Sequence, residues 1–358
     1  MDPRVERHAE IIVDHCIDVS HGDDVVIQAE PPAEDLVVAL FEAIGKRGGK
    51  PLWRGSSARA DRAYKRATPE EDIDLQDHYL AAVEAADSFV GIRGTVNTRE
   101  GGDIPPVKQS KYRSVNQPIL EERLSKPWVA TQFPAPGNAQ DARMSLEAYE
   151  NFVYSAIDRD WDSQRAFQEQ MVEILEGAES VRIVSGDQTD ISMRIDGMTP
   201  LNDYAEYNLP GGEVFTAPVP DSVEGEVHFD MPLITQGREV RGVRLRFEDG
   251  EVVSASAETN EDLLEAVLDT DEGAKRLGEL GIGMNREIDE FTYNMLFDEK
   301  LGDTVHMALG RAYEMNVGPD RERNDSAVHM DMIVDMSENA RIEVDGEIVQ
   351  EDGTFVFE

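Results

Sequence analysis

A histidine and an aspartate stand two positions apart near the end of the chain, in the stretch DSAVHMDMIVDM (residues 325–336). Apolar residues alternate there, which is typical of a β-strand, and side chains at positions i and i+2 of a strand share a face. His329 and Asp331 are therefore expected in one environment. They are either ligands of one metal ion or a hydrogen-bonded pair within a core, and the rest of the sequence has to decide between these interpretations.

Further acids and a second histidine occur in glycine-rich or apolar stretches of the same half of the chain. These candidates are Glu213 after Gly211 and Gly212, Glu279 between Gly278 and Gly281, Asp298, Glu299, His306 and Tyr313. Glycines allow close backbone approach and sharp turns around a carboxylate. A mixed set of imidazoles and carboxylates without cysteine suits zinc, cobalt or manganese. Each residue alone also fits a structural role, because an acid after a turn is commonly exposed and a histidine in an apolar strand is commonly buried and hydrogen-bonded.

The elements that must position these residues differ between the two halves of the chain. Up to about residue 134, helical spacing of apolar residues alternates with short β-branched runs, which is the βαβ pattern of a parallel sheet. Helices are predicted over 142–176. Beyond them, short strand-like stretches with Gly or Asp turns dominate, and one helix is predicted over 261–278. The sequence therefore predicts an α/β N-terminal domain with a parallel βαβ-type sheet (residues 1–177), followed by an α+β, β-rich metal-binding domain (residues 178–358).

The charge of the chain restricts its partners. Asp and Glu number 74 against 34 Lys and Arg in 358 residues, which gives a formal net charge of −40. The acids are spread along the whole chain, and such a surface makes nucleic acid or an anionic membrane an unfavourable partner. It also predicts a protein from a salt-loving organism, because a short Debye length relieves self-repulsion.

Cysteine content and hydropathy narrow the class further. Cys16 is the only cysteine, which excludes an internal disulfide and a thiolate zinc cluster, and we expect it in a core. The N-terminal half has no phosphate-binding glycine motif, so a nucleotide is not indicated. The absence of a signal-like start and of any long apolar run predicts a soluble, cytoplasmic protein.

Four stretches that carry the candidate residues, NLPGGEVFTAPVPDSVEG, LGELGIGMN, LFDEKLGDTVHMALGRAY and NDSAVHMDMI, resemble the signature segments of the thermophilic aminopeptidase family in the same order. The opening RVERHAEIIVDHCIDVSHGDDVVIQA is also similar to that family, and the likeness is weaker from about residue 55 to 175. Family members are metallo-exopeptidases. The resemblance implies an aminopeptidase that acts on short peptides with two divalent ions (zinc, cobalt or manganese) and assembles as a homodimer.

When the functional residues of the family are carried over position by position, the resemblance implies metal ligands at Glu213, Glu279, His306, His329 and Asp331. Glu299 and Tyr313 also fall on positions that belong to the active site in the family. The ions would polarise the scissile carbonyl and lower the pKa of a water molecule. Glu279 and Glu299 are both candidates for the general base and for a ligand, and Tyr313 for a hydrogen bond to the oxyanion. This sequence differs from the family pattern at one point: the segment between Glu299 and His306 is two residues longer than in bacterial members of the family.

Two other functions suit the same residues. A metal-dependent amidohydrolase of non-peptide substrates would use the same ligands. A non-catalytic peptide- or metal-binding protein on the same fold is the second alternative, although loss of catalysis would leave the ligands free to drift.

Overall fold

The computed structural model describes residues 1–235 and 238–358. Its helices are α1 (Pro3–Ile11), α2 (Glu34–Arg47), α3 (Ala58–Ala67), α4 (Asp77–Glu84), α5 (Pro106–Val115), α6 (Gln117–Leu124), α7 (Pro136–Asp141), α8 (Leu146–Ile157), α9 (Trp161–Leu175), α10 (Glu261–Leu268), α11 (Met295–Asp298) and α12 (Glu314–Val317). Its strands are β1 (Asp24–Ala29), β2 (Lys50–Gly55), β3 (Ser88–Arg93), β4 (Trp128–Gln132), β5 (Ser180–Ser185), β6 (Thr189–Arg194), β7 (Leu201–Asp203), β8 (Asn208–Leu209), β9 (Glu213–Thr216), β10 (Glu224–Phe229), β11 (Leu233–Thr235), β12 (Arg238–Val240), β13 (Val243–Glu248), β14 (Glu251–Ser256), β15 (Leu277–Gly283), β16 (Thr304–Gly310), β17 (His329–Asp335), β18 (Ala340–Val344), β19 (Glu347–Glu351) and β20 (Thr354–Phe355).

The chain forms two compact units. The first comprises Met1–Arg159 with Ala205–Gly211, and the second comprises Asp160–Tyr204 with Gly212–Glu358. By this division α9 belongs to the second unit, and a short later segment belongs to the first. The domain boundary expected between residues 177 and 178 stays a prediction.

The first unit is built on a parallel sheet in the order β2-β1-β3-β4-β8. Its central strands carry buried residues on both faces, such as Val25, Val26 and Ile27, as expected for a parallel sheet covered by helices. His8 of α1 joins the sheet through Thr131 of β4, whose hydroxyl donates to the Leu209 carbonyl of β8. Cys16 is buried, as expected. The predicted α/β class of the N-terminal part is confirmed.

The second unit is rich in antiparallel strands. One sheet has the order β14-β13-β10-β6-β5-β18-β19-β20, and another has the order β17-β16-β15-β9-β7. Inward-facing residues of both sheets, among them Ile183, Val227, Leu280 and Met307, contribute to one continuous apolar core with Met171 of α9. This confirms the predicted β-rich class of the C-terminal part.

The helix predicted over 261–278 is wrong beyond its first half. Helix α10 ends at Leu268, and a single 3-10 turn over Gly273–Lys275 leads directly into β15. The Asp271 carboxylate accepts hydrogen bonds from the backbone amides of Ala274 and Ala327, which competes with continuation of the helix. The stretch LGELGIG is a fully buried strand, so its glycines lie on an extended backbone and do not make sharp turns around Glu279.

Among the described residues, no helix combines the length and the apolar character that a membrane-spanning segment needs.

Candidate metal centre

The five strands β17-β16-β15-β9-β7 bring the candidate residues to one face of a sheet. Glu279 lies opposite Ala308, and Ala308 lies opposite Asp331. His306 and His329 flank this row, because each is two residues from one of its members. The alternate positions, Leu280, Ile282, Met307, Leu309, Met330 and Met332, point into the apolar core. The methionines around His329 and Asp331 therefore belong to the opposite face of β17.

His306 forms a buried group with two glutamates. Its Nε2 lies 3.3 Å from Oε1 of Glu279 and 3.4 Å from Oε2 of Glu213. The three side chains offer donor atoms that all lie within 4.8 Å of one another. Glu213 is the first residue of β9 and directly follows Gly211 and Gly212. Its position in the site is fixed by pairing with Gly283 of β15.

A second group consists of Glu279, His329 and Asp331. Nε2 of His329 lies 3.5 Å from Oε2 of Glu279 and 3.5 Å from Oδ1 of Asp331. Nδ1 of His329 lies 2.9 Å from the Arg311 carbonyl, which can only accept, so Nδ1 carries the proton and Nε2 faces the carboxylates. Glu279 thus belongs to both groups and presents a different oxygen to each histidine.

Glycine makes this packing possible. A Cβ atom added to Gly281 would lie 2.0 Å from Nε2 of His306 across the β15–β16 pair. Any side chain at this position would displace the imidazole from Glu279 and Glu213. The glycines of LGELGIG were expected to allow close approach, and Gly281 does so.

Lys300 is a member of this neighbourhood that the sequence analysis does not single out. It is fully buried, and its Nζ lies 2.9 Å from Oε1 of Glu213 and also contacts Glu299. Asp203, at the end of β7, has Oδ2 at 3.9 Å from the same ammonium group. The signal available was weak: only eight lysines occur in the chain, and one of them directly follows a candidate acid.

The acids of the site shift the pKa values of their cationic neighbours upward. Burial acts to lower the pKa of His306, but Glu279 and Glu213 raise it to about 9. Burial acts in the same direction on His329, and Asp331 and Glu279 raise its pKa to about 10. Burial raises the pKa of Glu213 to about 8, although Lys300 opposes this. The site therefore attracts positive charge, and a divalent ion would compete with these protons for the same donor atoms.

Tyr313 stands beside the second group. Its hydroxyl lies 3.3 Å from Nε2 of His329, and its ring packs edge-on against Phe215. Burial and the carboxylates of Glu279 and Asp331 raise the pKa of Tyr313 above its ordinary value. The phenol therefore stays protonated at neutral pH and can donate a hydrogen bond.

The sequence-predicted residues do not all contribute to the two groups. Glu213, Glu279, His306, His329 and Asp331 are brought together, with Tyr313 beside them. Glu299 contacts Lys300 and belongs to neither group of the described residues. Asp298 points elsewhere, because its carboxylate accepts hydrogen bonds from the amide and hydroxyl of Thr292.

The donor set fits a divalent metal. Oε2 of Glu213 and Oε2 of Glu279 are buried and have no hydrogen-bond partner within residues 1–235 and 238–358. Buried carboxylate oxygens without donors are costly unless a cation compensates them. Imidazole nitrogens and carboxylate oxygens are ligands that zinc, cobalt and manganese accept.

Comparison with known proteins gives a consistent result. A family model described as thermophilic metalloprotease (M29) matches residues 1–357. Aminopeptidase T of Thermus thermophilus is 29% identical over 398 residues, which cover 98% of this chain and 95% of that protein. Aminopeptidase AmpS of Bacillus subtilis is 23% identical over 382 residues, 92% of each chain. The solved structure of wild-type AmpT from Thermus thermophilus has the same fold, with a TM-score of 0.87 at 24% identity over 99% of both chains.

Proposed function

The chain belongs to the thermophilic metalloprotease family M29, and we propose that it is an aminopeptidase that uses two divalent metal ions to remove N-terminal residues from short peptides. The observation that carries this proposal is the position of Glu279 between two histidine–carboxylate groups. One carboxylate shared by two such groups is the arrangement that a pair of ions requires. The names of the aminopeptidase relatives support the exopeptidase activity.

In this proposal Glu213, Glu279 and His306 hold one ion, and Glu279, His329 and Asp331 hold the other. Divalent ions, when bound, supply Lewis acidity toward the scissile carbonyl and toward water. The Arg311 carbonyl fixes the orientation of His329 through Nδ1, as hydrogen bonds to ligand histidines commonly do. Because both oxygens of Glu279 face histidines, the geometry favours Glu279 as a ligand.

Glu299 is then the better candidate for the general base. Its side chain is partly exposed and is held by Lys300, and it is not committed to either ligand group. A carboxylate in this position would take a proton from water and pass it to the leaving amine. The protonated hydroxyl of Tyr313, next to His329, would donate to the oxyanion of the tetrahedral intermediate.

Lys300 has a supporting task in this scheme. Its ammonium group binds Oε1 of Glu213, which leaves Oε2 of the same carboxylate directed at His306. The lysine also compensates part of the negative charge that Glu213, Glu299 and Asp203 bring into a buried place.

The test is release of free amino acid from a panel of dipeptides and N-blocked dipeptides, before and after treatment with a chelator. We expect cleavage of the free peptides only, loss of activity in the chelated protein, and recovery with cobalt, zinc or manganese. Cleavage of blocked amides would favour the amidohydrolase alternative, and metal binding without turnover would favour the binding protein. Full activity in a metal-free preparation would contradict the metal-dependent mechanism.

A further inference from the structure

The described part of the first unit holds a group of arginines without acidic partners, which is unusual in a chain with a net charge of −40. Arg54 and Arg93 lie at the carboxyl ends of β2 and β3, Arg113 lies in α5 and Arg123 in α6. Within residues 1–235 and 238–358, their guanidinium groups make no ion pair and no hydrogen bond. The neighbouring helix α3 behaves differently: Arg62 and Arg66 both pair with Asp103, at 2.5 and 3.2 Å.

The fold concentrates these charges at one end of the parallel sheet. Arg54, Gln28 and Gly91 are in register across β2, β1 and β3. The row two residues earlier contains Val26 and Phe89, which belong to an apolar cluster. The guanidinium group of Arg54 lies over the ring of Tyr79 at 3.9 Å. In open α/β sheets, ligands bind outside the carboxyl ends of the strands.

Arg123 approaches the same end of the sheet from α6. Its guanidinium carbon lies 4.0 Å from the centre of the Phe89 ring, and its Nη2 would lie 3.6 Å from a Cβ atom at Gly91. Its Nε is buried without a hydrogen-bond acceptor in the described part of the chain. Burial lowers the pKa of Arg123, Tyr79 opposes this, and the charges of Arg93 and Arg54 lower it further.

A cavity of about 260 Å³ opens beside Arg54. Its walls include Arg54, Lys65, Arg113, Tyr64, Tyr112 and Asn116. Asp61 is the acid among the described lining residues, and it is paired with Lys65 at 2.7 Å. Arg54 and Arg113 therefore give the cavity an uncompensated positive charge.

Polar atoms of the lining are also left without partners. Tyr112 is 6% exposed, and its hydroxyl has no hydrogen-bond partner in the described structure. Oδ1 of Asn116 is likewise buried without a donor, although its Nδ2 binds the Tyr112 carbonyl at 2.8 Å. Buried polar groups are ordinarily satisfied, so Tyr112 and Asn116 make the wall of this cavity unusually polar.

We propose that this cavity of the first unit binds a small organic anion through a carboxylate or phosphate group held by Arg54 and Arg113. Guanidinium groups match the oxygen geometry of both anions in bidentate contacts. The volume is smaller than that of a typical drug-sized site, which is roughly 300–1,000 Å³, so the ligand is a small metabolite and not a peptide chain.

The test is isothermal titration calorimetry of the full chain with inorganic phosphate and, separately, with succinate, at constant ionic strength in chloride. We expect saturable binding of at least one anion, weakened at least about tenfold in Arg54→Gln and in Arg113→Gln. Arg59→Gln removes an exposed charge at the start of α3 outside the cavity lining, and this control should bind like the wild type. Phosphate can also associate with the candidate metal centre, and the cavity variants separate the two because they leave the second unit unchanged.

Comparison of the two anions distinguishes a phosphate-bearing ligand from a carboxylate. Binding of phosphate alone assigns a phosphate-bearing ligand, and binding of succinate alone assigns a carboxylate. Arg113 is exposed on α5, so Arg113→Gln decides the outcome if Arg54→Gln fails to fold. Absence of saturable binding for both anions overturns the proposal, and so does wild-type affinity in Arg113→Gln.

Discussion

At the scale of single residues, the candidate metal centre depends on the different surroundings of similar side chains. Glu213 and Glu279 are buried next to His306, whereas Glu299 is partly exposed and contacts Lys300. The proposed function therefore gives the same residue type metal binding in two positions and proton transfer in the third. The sequence identified all three glutamates, but it could not distinguish their surroundings, because these depend on strand register and on the buried position of Lys300.

His329→Ala and Asp331→Ala should each reduce metal content per chain and lower activity by at least about 100-fold, since each removes a proposed ligand. Mass spectrometry of the intact protein and a peptidase assay measure the two effects. If the residues only satisfy each other, metal content will stay at the wild-type level and stability will fall by roughly 1–3 kcal/mol. Asp335→Ala on the same strand and His228→Ala on β10 lie outside both groups and should retain metal.

Lys300→Met should lower the free energy of unfolding by roughly 3–5 kcal/mol, because it leaves buried carboxylates without their cation. Adding a divalent metal should restore part of this loss, since the ion compensates the same charges. Denaturant titration with and without metal measures both effects. Lys275→Met is the matched control: its Nζ lies 3.7 Å from Asp269 on the surface, and such pairs contribute at most about 1 kcal/mol. Equal stability of the two variants would contradict the role given to Lys300.

At the scale of elements, the period of the hydrophobic pattern decided which predictions were correct. The alternation of apolar residues around His329 and Asp331 correctly predicted strand β17 and its polar face. The Gly211-Gly212 turn before Glu213 correctly predicted the start of β9. The pattern failed at 261–278, where Leu, Glu and Gly fit both a helix and a strand, and the hydrogen bonds of Asp271 ended the helix. Helices α5 and α6 have few buried residues, so they show little of the apolar periodicity on which such a prediction depends. Pairing of β15 with β16, which builds the site, is a long-range contact that local periodicity does not contain.

His8 should make the first unit sensitive to acid. It is buried in α1, and burial lowers its pKa from 6.5 to about 3. The unfolded chain therefore takes up a proton as the pH falls below 6.5 while the folded chain does not, and stability decreases by up to about 1.4 kcal/mol per pH unit until about pH 3. Stability conferred by neutral His8 is thus present above pH 6.5 and lost below it.

The measurement is the difference in unfolding free energy between the wild type and His8→Gln across this pH range. Glutamine can still donate to Thr131 but takes up no proton, so the variant should gain stability relative to the wild type as the pH falls. His78→Gln changes an exposed histidine of α4 and serves as the control for loss of a histidine. A constant difference between His8→Gln and the wild type across the pH range would show that His8 is not buried in its neutral form.

At the scale of the whole molecule, charge is the dominant property. The chain has a net charge of −40, so its acidic side chains repel one another. The Debye length, which sets the range of this repulsion, is about 10 Å at 0.1 M salt and about 3 Å at 1 M. We expect the thermal midpoint to rise between 0.1 and 2 M KCl. Sucrose at the same osmolality does not screen charge and should raise the midpoint less. A midpoint that does not change with KCl would contradict adaptation to a salt-rich cytoplasm, which stays a prediction, as does the homodimer.

The order of the chain has a consequence for synthesis on the ribosome. Strand β8 completes the parallel sheet of the first unit by pairing with β4, and the Leu209 carbonyl accepts a hydrogen bond from the Thr131 hydroxyl. These contacts cannot form until translation has passed residue 209, well after Arg159 has been added. At about 5–20 residues per second, this delay lasts roughly 3–10 s. During that interval the nascent chain exposes an unpaired edge at β4, where strands from neighbouring nascent chains can add, so a chaperone that covers this edge would increase the yield of folded protein.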